Sequence, residues 1–402
     1  MNLLPDRNAN RPADDPIFAL NREATERRAA GQRVINGTVG AMLEDDGSLA
    51  VLPSVIAALR EVPPARVAGY APIGGSAEFL DAVVADLLGG TTLLAQATAV
   101  STPGGTGALR HAVSTFLDVG QALVTPSFYW GPYATICQEH QRALRTFPMF
   151  DARGGFNVAA LEQTLGEVAG AQGRLLVFLN DPCHNPTGYS MTDAEWQGTA
   201  AVLAAAAARV PTVVLADIAY LAYARRASSF LPHLAPLAER ALVLFAWSAS
   251  KAFSAYGLRV GALIACSADP RTRSAVGAAL TFACRATWSN CNASGQAAIA
   301  RCITDPVLRA RVDGERVRLR ELLLARVSAW NRAADAAGLS YPRYDGGFYV
   351  TVFAADAAAA AARLREQGIF VVPQAGALRV ALCGIAERDI AELVAGMAQA
   401  IG

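Results

Sequence analysis

Five short apolar runs occupy the centre of the chain, and each is bounded by Gly, Pro, Asp or Ser. They are QALVTPS, RLLVFLND, TVVLADIAY, ALVLFAWS and GALIAC. Runs of this length without polar alternation are typical of strands that are buried on both faces. Helical segments fall between them, including GTGALRHAVSTFL and a helix that begins at Thr192 with a capping box ending at Glu195. This alternation predicts an α/β fold, with ligand-binding residues at the carboxyl ends of a mainly parallel sheet.

The two ends of the chain have a different pattern. Residues 1–16 are polar and contain proline, and FALNREATERRAAG predicts the first helix. From about residue 305, a long charged amphipathic stretch predicts one or two helices. It is followed by a strand (GFYVTVF), an alanine-rich helix, two short strands (IFVVP and LRVAL) and a closing helix from Ala386. This order predicts a smaller domain of the α+β type.

Composition narrows the class of protein. The 402 residues are 53% hydrophobic and 17% charged, which is typical of a globular chain. The net charge of +1 provides no field that would attract nucleic acid or an anionic membrane. No signal peptide or membrane-spanning run is expected, because the amino-terminal segment has few apolar residues and AVLAAAAARV is too short. Seven cysteines without a CxxC pair predict neither a disulfide framework nor a metal site, and favour the cytoplasm.

Lys251, in WSASKAFSAYGLRVG, is the one lysine among the 35 Lys and Arg residues of the chain. An amine can form a Schiff base with an aldehyde, whereas a guanidinium cannot. The position therefore predicts chemistry with a carbonyl-bearing ligand. Taken alone, Lys251 is equally compatible with a lysine that was retained by chance in an arginine-rich chain.

Polar residues at the predicted strand ends supply what a phosphorylated aldehyde such as pyridoxal 5'-phosphate (PLP) needs. Asp217 could keep the pyridine nitrogen protonated, and Tyr220 and Asn185 could donate to the 3-oxygen. The phosphate dianion requires cationic and hydroxyl donors and a helix amino terminus. Residues of these types are Ser248, Ser250, Arg259, Gly104, Gly105 and Thr106. Each has an ordinary structural interpretation in isolation, such as a strand-end cap for Asp217 or a turn for Asn185.

These motifs resemble the fold-type I PLP-dependent aminotransferases (class I/II), and most closely their aspartate and aromatic amino-acid subgroup. The motifs that carry the resemblance span nearly the whole chain: DDPIFAL, DDGSLAVLPSV, YAPIGGSAEF, GGTGALR, CHNPTG, ADIAY, SASK followed by GLRVG, and LRVAL. The resemblance implies a large PLP-binding domain with a mainly parallel seven-stranded sheet flanked by helices. A smaller α+β domain is drawn from both termini. The expected parts are residues 1–45 (arm and part of the small domain), 46–304 (PLP-binding domain) and 305–402 (carboxyl-terminal small domain).

The resemblance also implies roles for single residues. Lys251 would form the Schiff base with PLP and act as general base for the 1,3-proton shift. Asp217 would pair with the pyridine nitrogen, and Tyr220 and Asn185 would hold the 3-oxygen. Further cofactor contacts are expected from Gly105, Thr106, Phe128, Ala219, Ser248, Ser250 and Arg259, and from Tyr70, whose family counterpart reaches the cofactor of the neighbouring subunit.

Substrate contacts are implied for Arg379, Gly40, Asn185, Phe128 and Arg285. Arg379 matches the arginine that grips the α-carboxylate. Arg285 lies five residues before Asn290, like the family arginine that binds a distal carboxylate from the neighbouring subunit.

Three positions depart from the family pattern. Phe128 replaces a tryptophan of the aspartate-specific enzymes, and it can stack but cannot donate a hydrogen bond. Trp130 is the alternative if this loop is shifted. Gly104 replaces a common serine, and Val350 stands where the family often has an aromatic residue.

The function that the resemblance implies is ping-pong transfer of an amino group between an aromatic or dicarboxylic L-amino acid and a 2-oxo acid such as 2-oxoglutarate. The expected unit is a homodimer with shared sites, without nucleic-acid or membrane partners. Two alternatives stay open from the residues: a PLP-dependent lyase or synthase of the same fold, and a non-catalytic PLP-binding regulator.

Overall fold

The structure is a computed structural model that describes residues 3–9, 11–12, 14–225 and 230–402. Two compact units are formed. The terminal unit comprises Met1–Leu49, Ala325–Tyr341 and Phe348–Gly402, and the central unit comprises Ala50–Leu324 and Pro342–Gly347. The domain boundaries expected at residues 46 and 305 stay a prediction. Along the chain, the two units change at residue 50, inside the long helix Pro306–Ala336, and on either side of Pro342–Gly347.

The central unit is built on a sheet of seven strands among the described residues. The strands are β2 (Ala97–Pro103), β3 (Ala122–Pro126), β4 (Ala143–Phe147), β5 (Leu175–Asn180), β6 (Thr212–Asp217), β7 (Leu242–Ser248) and β8 (Val260–Cys266). Their order is β2-β8-β7-β6-β5-β3-β4, and β8 runs antiparallel to both of its neighbours. The other pairings are parallel. The predicted α/β class with a mainly parallel sheet is therefore confirmed.

All five apolar runs form strands of this sheet, namely β3, β5, β6, β7 and β8. Each residue of β5, β7 and β8 is buried, as expected for strands covered on both faces. The pattern did not predict β2 and β4, which lie at the two edges of the sheet. Most residues of β4 are exposed or half-buried, so this strand needs no continuous apolar run.

Helices cover the sheet of the central unit. They are α3 (Pro53–Arg60), α4 (Pro64–Ala68), α5 (Ala77–Leu88), α6 (Gly104–Phe116), α7 (Pro132–Glu139), α8 (Val158–Gln172), α9 (Asp193–Ala207), α10 (Leu231–Leu237), α11 (Ala249–Ala252), α12 (Pro270–Thr287), α13 (Ala293–Thr304) and α14 (Pro306–Ala336), which continues into the terminal unit. The predicted capping box of α9 is confirmed, because Glu195 N–H donates to Thr192 Oγ1 at 3.2 Å and Thr192 N–H donates to Glu195 Oε2 at 2.7 Å. A buried cluster that includes Leu109, Phe178 and Leu244 joins α6 to the sheet.

The terminal unit contains α1 (Asp6–Ala9), α2 (Pro16–Ala29), β1 (Ile35–Asn36), β9 (Tyr349–Phe353), α15 (Ala357–Glu366), β10 (Ile369–Phe370), β11 (Val372–Gln374), β12 (Ala377–Ala381) and α16 (Ile390–Ile401). The order β11-β12-β9 forms an antiparallel sheet, and β1 pairs in parallel with β10. The predicted run IFVVP is divided between β10 and β11, because the two strands pair with different partners. The closing helix begins at Ile390 rather than Ala386, after a turn of 3₁₀-helix over Glu387–Asp389.

Three further observations apply to the described part of the chain. None of its helices is both long and apolar enough to span a bilayer. No group of three or more His, Cys, Asp and Glu side chains is arranged to hold a metal ion. All seven cysteines are buried free thiols.

Candidate active site

Polar residues converge at the carboxyl edge of the central sheet. Asn180, Asp217 and Ser248 are the last residues of β5, β6 and β7. The three strands are parallel neighbours, and Asn180 pairs in register with Asp217. Because parallel strands end at the same edge, the loops that follow them meet there.

The carboxylate of Asp217 is buried, with 6% of the residue exposed. Tyr133 donates its hydroxyl hydrogen to Asp217 Oδ2 at 2.7 Å, and the Ala219 N–H donates to Oδ1 at 3.3 Å. Among the described residues, no basic side chain forms an ion pair with it. Burial raises the pKa of Asp217 to about 6, although the Tyr133 and Ala219 donors oppose this change. Asp217 is therefore a buried acid that lacks a cationic partner within the described chain.

Tyr220, Asn185 and Asn180 form a second buried group beside Asp217. Asn185 Nδ2 donates to the Tyr220 hydroxyl at 3.2 Å. Asn180 bridges two of the loops, since its Nδ2 donates to the backbone oxygen of Asp217 at 2.8 Å and its Oδ1 accepts the Asn185 N–H at 2.6 Å. One side chain thus sets the distance between the loop after β5 and the end of β6.

Lys251 projects from the short helix α11, which begins directly after β7. Ser248 caps this helix, because its hydroxyl accepts the Ser250 N–H at 3.1 Å. The amine of Lys251 lies 4.5 Å from the centre of the Tyr256 ring and 5.9 Å from that of Tyr220. Aromatic faces at these distances attract an ammonium group. The lysine is therefore held beside the Tyr220–Asn185 pair.

Arg259 places its guanidinium next to Ser250. Its Nη1 donates to Ser250 Oγ at 3.3 Å and to the Tyr256 carbonyl at 3.0 Å. Among the described residues, no carboxylate pairs with this guanidinium. A Cβ at Gly104 would lie 2.6 Å from Arg259 Nη2, and Gly104 has a φ of +67°, a conformation that favours glycine.

The amino terminus of α6 also lies beside Arg259 and Ser248. A Cβ at Gly105 would lie 3.5 Å from Ser248 Cβ, and a Cβ at Gly261 would lie 2.5 Å from the carbonyl carbon of Gly104. Gly261 thus permits β8 to approach the start of α6. The N–H groups of the first turn of a helix, which here includes Thr106, attract anions.

Four other residues named by the sequence also lie in the central unit. Phe128 packs near Phe150, with ring centres 6.1 Å apart. Trp130 packs edge-on against Tyr133 at 5.9 Å. Tyr70 is 93% exposed. Arg285 is exposed in the last turn of α12, where its Nη1 donates to Ser289 Oγ at 2.5 Å.

Arg379 and Gly40 belong to the terminal unit. Arg379 lies on β12 and is buried, and its Nη2 donates to the Thr38 carbonyl at 2.6 Å. Its Nε has no hydrogen-bond partner, and no carboxylate among the described residues pairs with it. The guanidinium carbon lies 4.8 Å from the centre of the Tyr349 ring. The aromatic residue against Arg379 is therefore Tyr349, the neighbour of Val350.

Comparison with known proteins identifies the family. Residues 32–397 match the model of aminotransferase class I and II. The chain belongs to that family. It is a PLP-dependent aminotransferase.

Individual relatives agree with this assignment. An aromatic-amino-acid aminotransferase of Paracoccus denitrificans is 31% identical over 74% of this chain and 75% of its own length. Aspartate aminotransferases are also among the relatives. The structure of an aminotransferase from Anaerococcus prevotii has a TM-score of 0.95 at 31% identity, with 100% of each chain covered. An aromatic-amino-acid aminotransferase from Burkholderia pseudomallei, solved covalently bound to pyridoxal phosphate, has a TM-score of 0.82 at 25% identity over 100% of each chain.

The residues of this aminotransferase fit PLP on structural grounds. A buried carboxylate that has no cationic partner among the described residues suits a protonated ring nitrogen. Within the described chain, the Arg259 guanidinium contacts only neutral oxygens, and such a group beside a helix amino terminus suits a phosphate. Because Gly104 has no side chain, the Arg259 guanidinium can lie against the first residue of α6.

Four residues of the aminotransferase that the sequence did not single out contact the candidate site residues: Asn180, Tyr133, Tyr256 and Tyr349. Asn180 could have been found, because it is a polar residue at the end of a predicted apolar strand. Tyr133 and Tyr256 carry no such signal, since helix and loop tyrosines are common core residues. Tyr349 lies within an apolar strand run, where an aromatic residue indicates only β structure.

Proposed function

We propose that this aminotransferase moves the amino group of an L-amino acid, aromatic or dicarboxylic, to a 2-oxo acid such as 2-oxoglutarate by a ping-pong mechanism. The observation that carries the proposal is that Lys251 lies beside the Tyr220–Asn185 pair at the sheet edge where the buried Asp217 ends β6. An amine, an anion and two neutral hydrogen-bonding groups thus converge at one edge.

Bound PLP supplies an aldehyde and an electron-withdrawing ring for chemistry at the substrate α-carbon. We assign Asp217 to the ring nitrogen and the Tyr220–Asn185 pair to the 3-oxygen. Ala219 and Phe128 are assigned to the faces of the ring. The phosphate is assigned to Arg259, Ser248 and Ser250 with the N–H groups of Gly105 and Thr106. The hydrogen bond between Arg259 and Ser250 supports a common phosphate subsite.

Lys251 is the residue that moves the proton. Its amine, in the neutral form, accepts the proton from the substrate α-carbon and holds it as an ammonium. The rings of Tyr256 and Tyr220 favour the charged form, because their faces attract a cation. The amine is thereby held in place while it carries the proton.

Arg379 is assigned to the α-carboxylate of the substrate. A buried guanidinium whose Nε lacks a partner is a site for a planar anion, and arginine binds carboxylates through two parallel hydrogen bonds. Gly40 and Asn185 are assigned to the same substrate. Arg285 is assigned to a distal carboxylate, which would make dicarboxylic substrates such as glutamate acceptable.

We further propose a homodimer in which Tyr70 and Arg285 serve the neighbouring site. Support comes from four exposed apolar side chains, Val67, Tyr70, Ile73 and Phe282, which we assign to one apolar patch. Tyr70 and Phe282 are 93% and 76% exposed, and a Cβ at Gly74 would lie 3.3 Å from Thr281 Oγ1, so the loop after α4 packs on α12. Exposed apolar patches of this kind mark protein interfaces. The free cysteines support a location in the cytoplasm.

The experiment that tests the function is a panel of amino donors given to the holoenzyme without an acceptor. Aspartate, glutamate, phenylalanine, tyrosine and tryptophan are each mixed with the enzyme, and absorbance follows conversion of the cofactor to its pyridoxamine form. Oxo-acid release is measured in parallel, and 2-oxoglutarate is then added to reverse the spectrum. Equal amounts of oxo acid and pyridoxamine form are expected. Oxo-acid release without the pyridoxamine form would indicate a lyase and contradict the proposal.

A further inference from the structure

Tyr133 is held rigidly at the carboxylate of Asp217. It lies in the first turn of α7 and is 1% exposed. The centre of its ring lies 5.3 Å from that of Phe178, edge to face, and 5.9 Å from that of Trp130. Because these contacts confine the ring, the hydroxyl has little freedom to turn away from Asp217 Oδ2.

The hydrogen bond from Tyr133 is the shorter of the two that reach this carboxylate, at 2.7 Å against 3.3 Å from the Ala219 N–H. No described basic side chain pairs with Asp217, so Tyr133 is the one side-chain donor that stabilises its charge within the described chain. Burial works in the opposite direction, and it raises the pKa of Asp217 to about 6. The pKa of Tyr133 itself is raised well above 10, first by burial and then by the neighbouring Asp217. The phenol is therefore a donor and not a competing anion.

We propose that Tyr133 is a positioning residue that keeps Asp217 ionised and fixes its orientation, so that Asp217 can hold a proton on the ring nitrogen of PLP. The inference rests on the proposed pairing of Asp217 with that nitrogen. A hydrogen bond donated to a carboxylate makes it a weaker base. Without the Tyr133 hydroxyl, Asp217 becomes more basic and the shared proton moves from the ring nitrogen to the carboxylate.

The test is nitrogen-15 NMR of holoenzyme reconstituted with PLP labelled at the ring nitrogen, in wild type and in Tyr133→Phe. Phenylalanine retains the buried ring and removes one oxygen. Tyr129→Phe is the matched control, because Tyr129 stacks on Tyr133 with ring centres 6.5 Å apart and its hydroxyl makes no hydrogen bond within the described chain. Thermal unfolding of the three proteins checks that the fold is retained.

In Tyr133→Phe, the ring-nitrogen resonance is expected to move at pH 7.5 from the protonated toward the neutral chemical shift. The dissociation constant of PLP should rise about tenfold, as expected for loss of one hydrogen bond to a charged group. Tyr129→Phe should match wild type in both measurements. A purely structural role for Tyr133 would lower the melting temperature without moving the resonance, and that result would overturn the inference.

Asp217→Asn separates this inference from the proposed function. If that substitution moves the resonance to the neutral position and Tyr133→Phe leaves it unchanged, the assignment of Asp217 stands and the role of Tyr133 is wrong. If Asp217→Asn leaves the resonance unchanged, Asp217 does not serve the ring nitrogen. Both the assignment and the inference built on it then fail.

Discussion

A Cβ atom on Gly40 would overlap the hydroxyl oxygen of Tyr349. The ring of the same tyrosine lies against the guanidinium of Arg379. Because Gly40 has no side chain, the Tyr349 hydroxyl can lie where a Cβ atom would be, and the Tyr349 ring can contact the guanidinium of Arg379. A substitution at position 40 acts on the arginine through the tyrosine, without contacting the guanidinium itself.

Gly40→Ala should displace Tyr349 and loosen Arg379. We expect a loss of about 1–3 kcal/mol in the free energy of unfolding from overpacking. The KM for amino donors should rise about tenfold through loss of the cation–π support. Gly166→Ala is the matched control, because Gly166 lies on an exposed part of α8 with open space around it. That change should stabilise the protein by about 0.5–1 kcal/mol, and an equal loss of affinity in both variants would contradict the prediction.

Lys251→Arg keeps a positive charge but should abolish amino transfer. A guanidinium neither condenses with an aldehyde nor releases a proton near neutral pH. We expect single-turnover conversion of the bound cofactor by an amino donor to slow by about 10⁴-fold or more. Stopped-flow absorbance measures this rate. Appreciable turnover in the arginine variant would show that position 251 requires only charge.

Arg285→Ala should discriminate between classes of substrate. If Arg285 binds a distal carboxylate, kcat/KM for glutamate should fall about 10- to 100-fold, because one charge-assisted hydrogen-bonded pair is lost. The value for phenylalanine should change little. Arg271→Ala, an exposed arginine on the same helix, is the control and should leave both values unchanged. Equal losses for glutamate and phenylalanine would count against a specific carboxylate contact.

Phe282→Arg should weaken the proposed dimer, because it places a charge in the exposed apolar patch. Light scattering after size-exclusion chromatography is expected to show a shift from dimer to monomer on dilution. Val119→Arg is the control, since Val119 is 64% exposed and lies outside the patch. A wild-type protein that is monomeric at all concentrations would refute the shared-site arrangement.

His111 should make stability depend on pH. Burial, assisted by the neighbouring Arg110, lowers the pKa of His111 to about 3, whereas the unfolded chain has a value of about 6.5. Below pH 6.5 the unfolded state takes up a proton that the folded state does not, so the folded state loses stability as the pH falls. Between pH 7.5 and 5.5 the loss is about 1.4 kcal/mol.

Comparison with His111→Phe isolates this contribution, because other buried groups titrate in the same range. Urea unfolding gives the free energy of unfolding of wild type and of the variant at each pH. The wild-type value minus the variant value should fall by about 1.4 kcal/mol when the pH is lowered from 7.5 to 5.5. The difference should stay constant between pH 7.5 and 8.5, where the histidine is neutral in both states. A constant difference over the whole range would mean that His111 titrates normally in the folded protein.

Much of the fold was readable from the sequence, and the reason is physical. Strands buried on both faces must be apolar throughout, so β5, β6, β7 and β8 appeared as continuous runs between polar residues. The edge strand β4 was missed, because its exposed face imposes no such requirement. The start of α9 was visible because the capping box is a local interaction between Thr192 and Glu195.

In the candidate site, too, some features could be predicted from the sequence and others could not. Lys251 and Asp217 were predicted from residue type, because a guanidinium cannot replace an amine in condensation with an aldehyde and a protonated ring nitrogen requires a carboxylate. The hydrogen bond from Tyr133 joins residues 84 positions apart, and no spacing rule links a helix start to a distant strand end. The support of Arg379 by Tyr349 likewise arises from antiparallel pairing of β12 with β9.

The sequence by itself therefore determined the class of fold and the family and predicted the candidate reactive groups, because these follow from burial and from the chemistry of single side chains. Only the tertiary structure decided which neighbours hold those groups. It placed Tyr133 on Asp217, Asn180 between two loops, and the Tyr256 ring beside the amine of Lys251. Such contacts set charge and orientation at distances of a few ångströms, and chain folding alone brings their partners together.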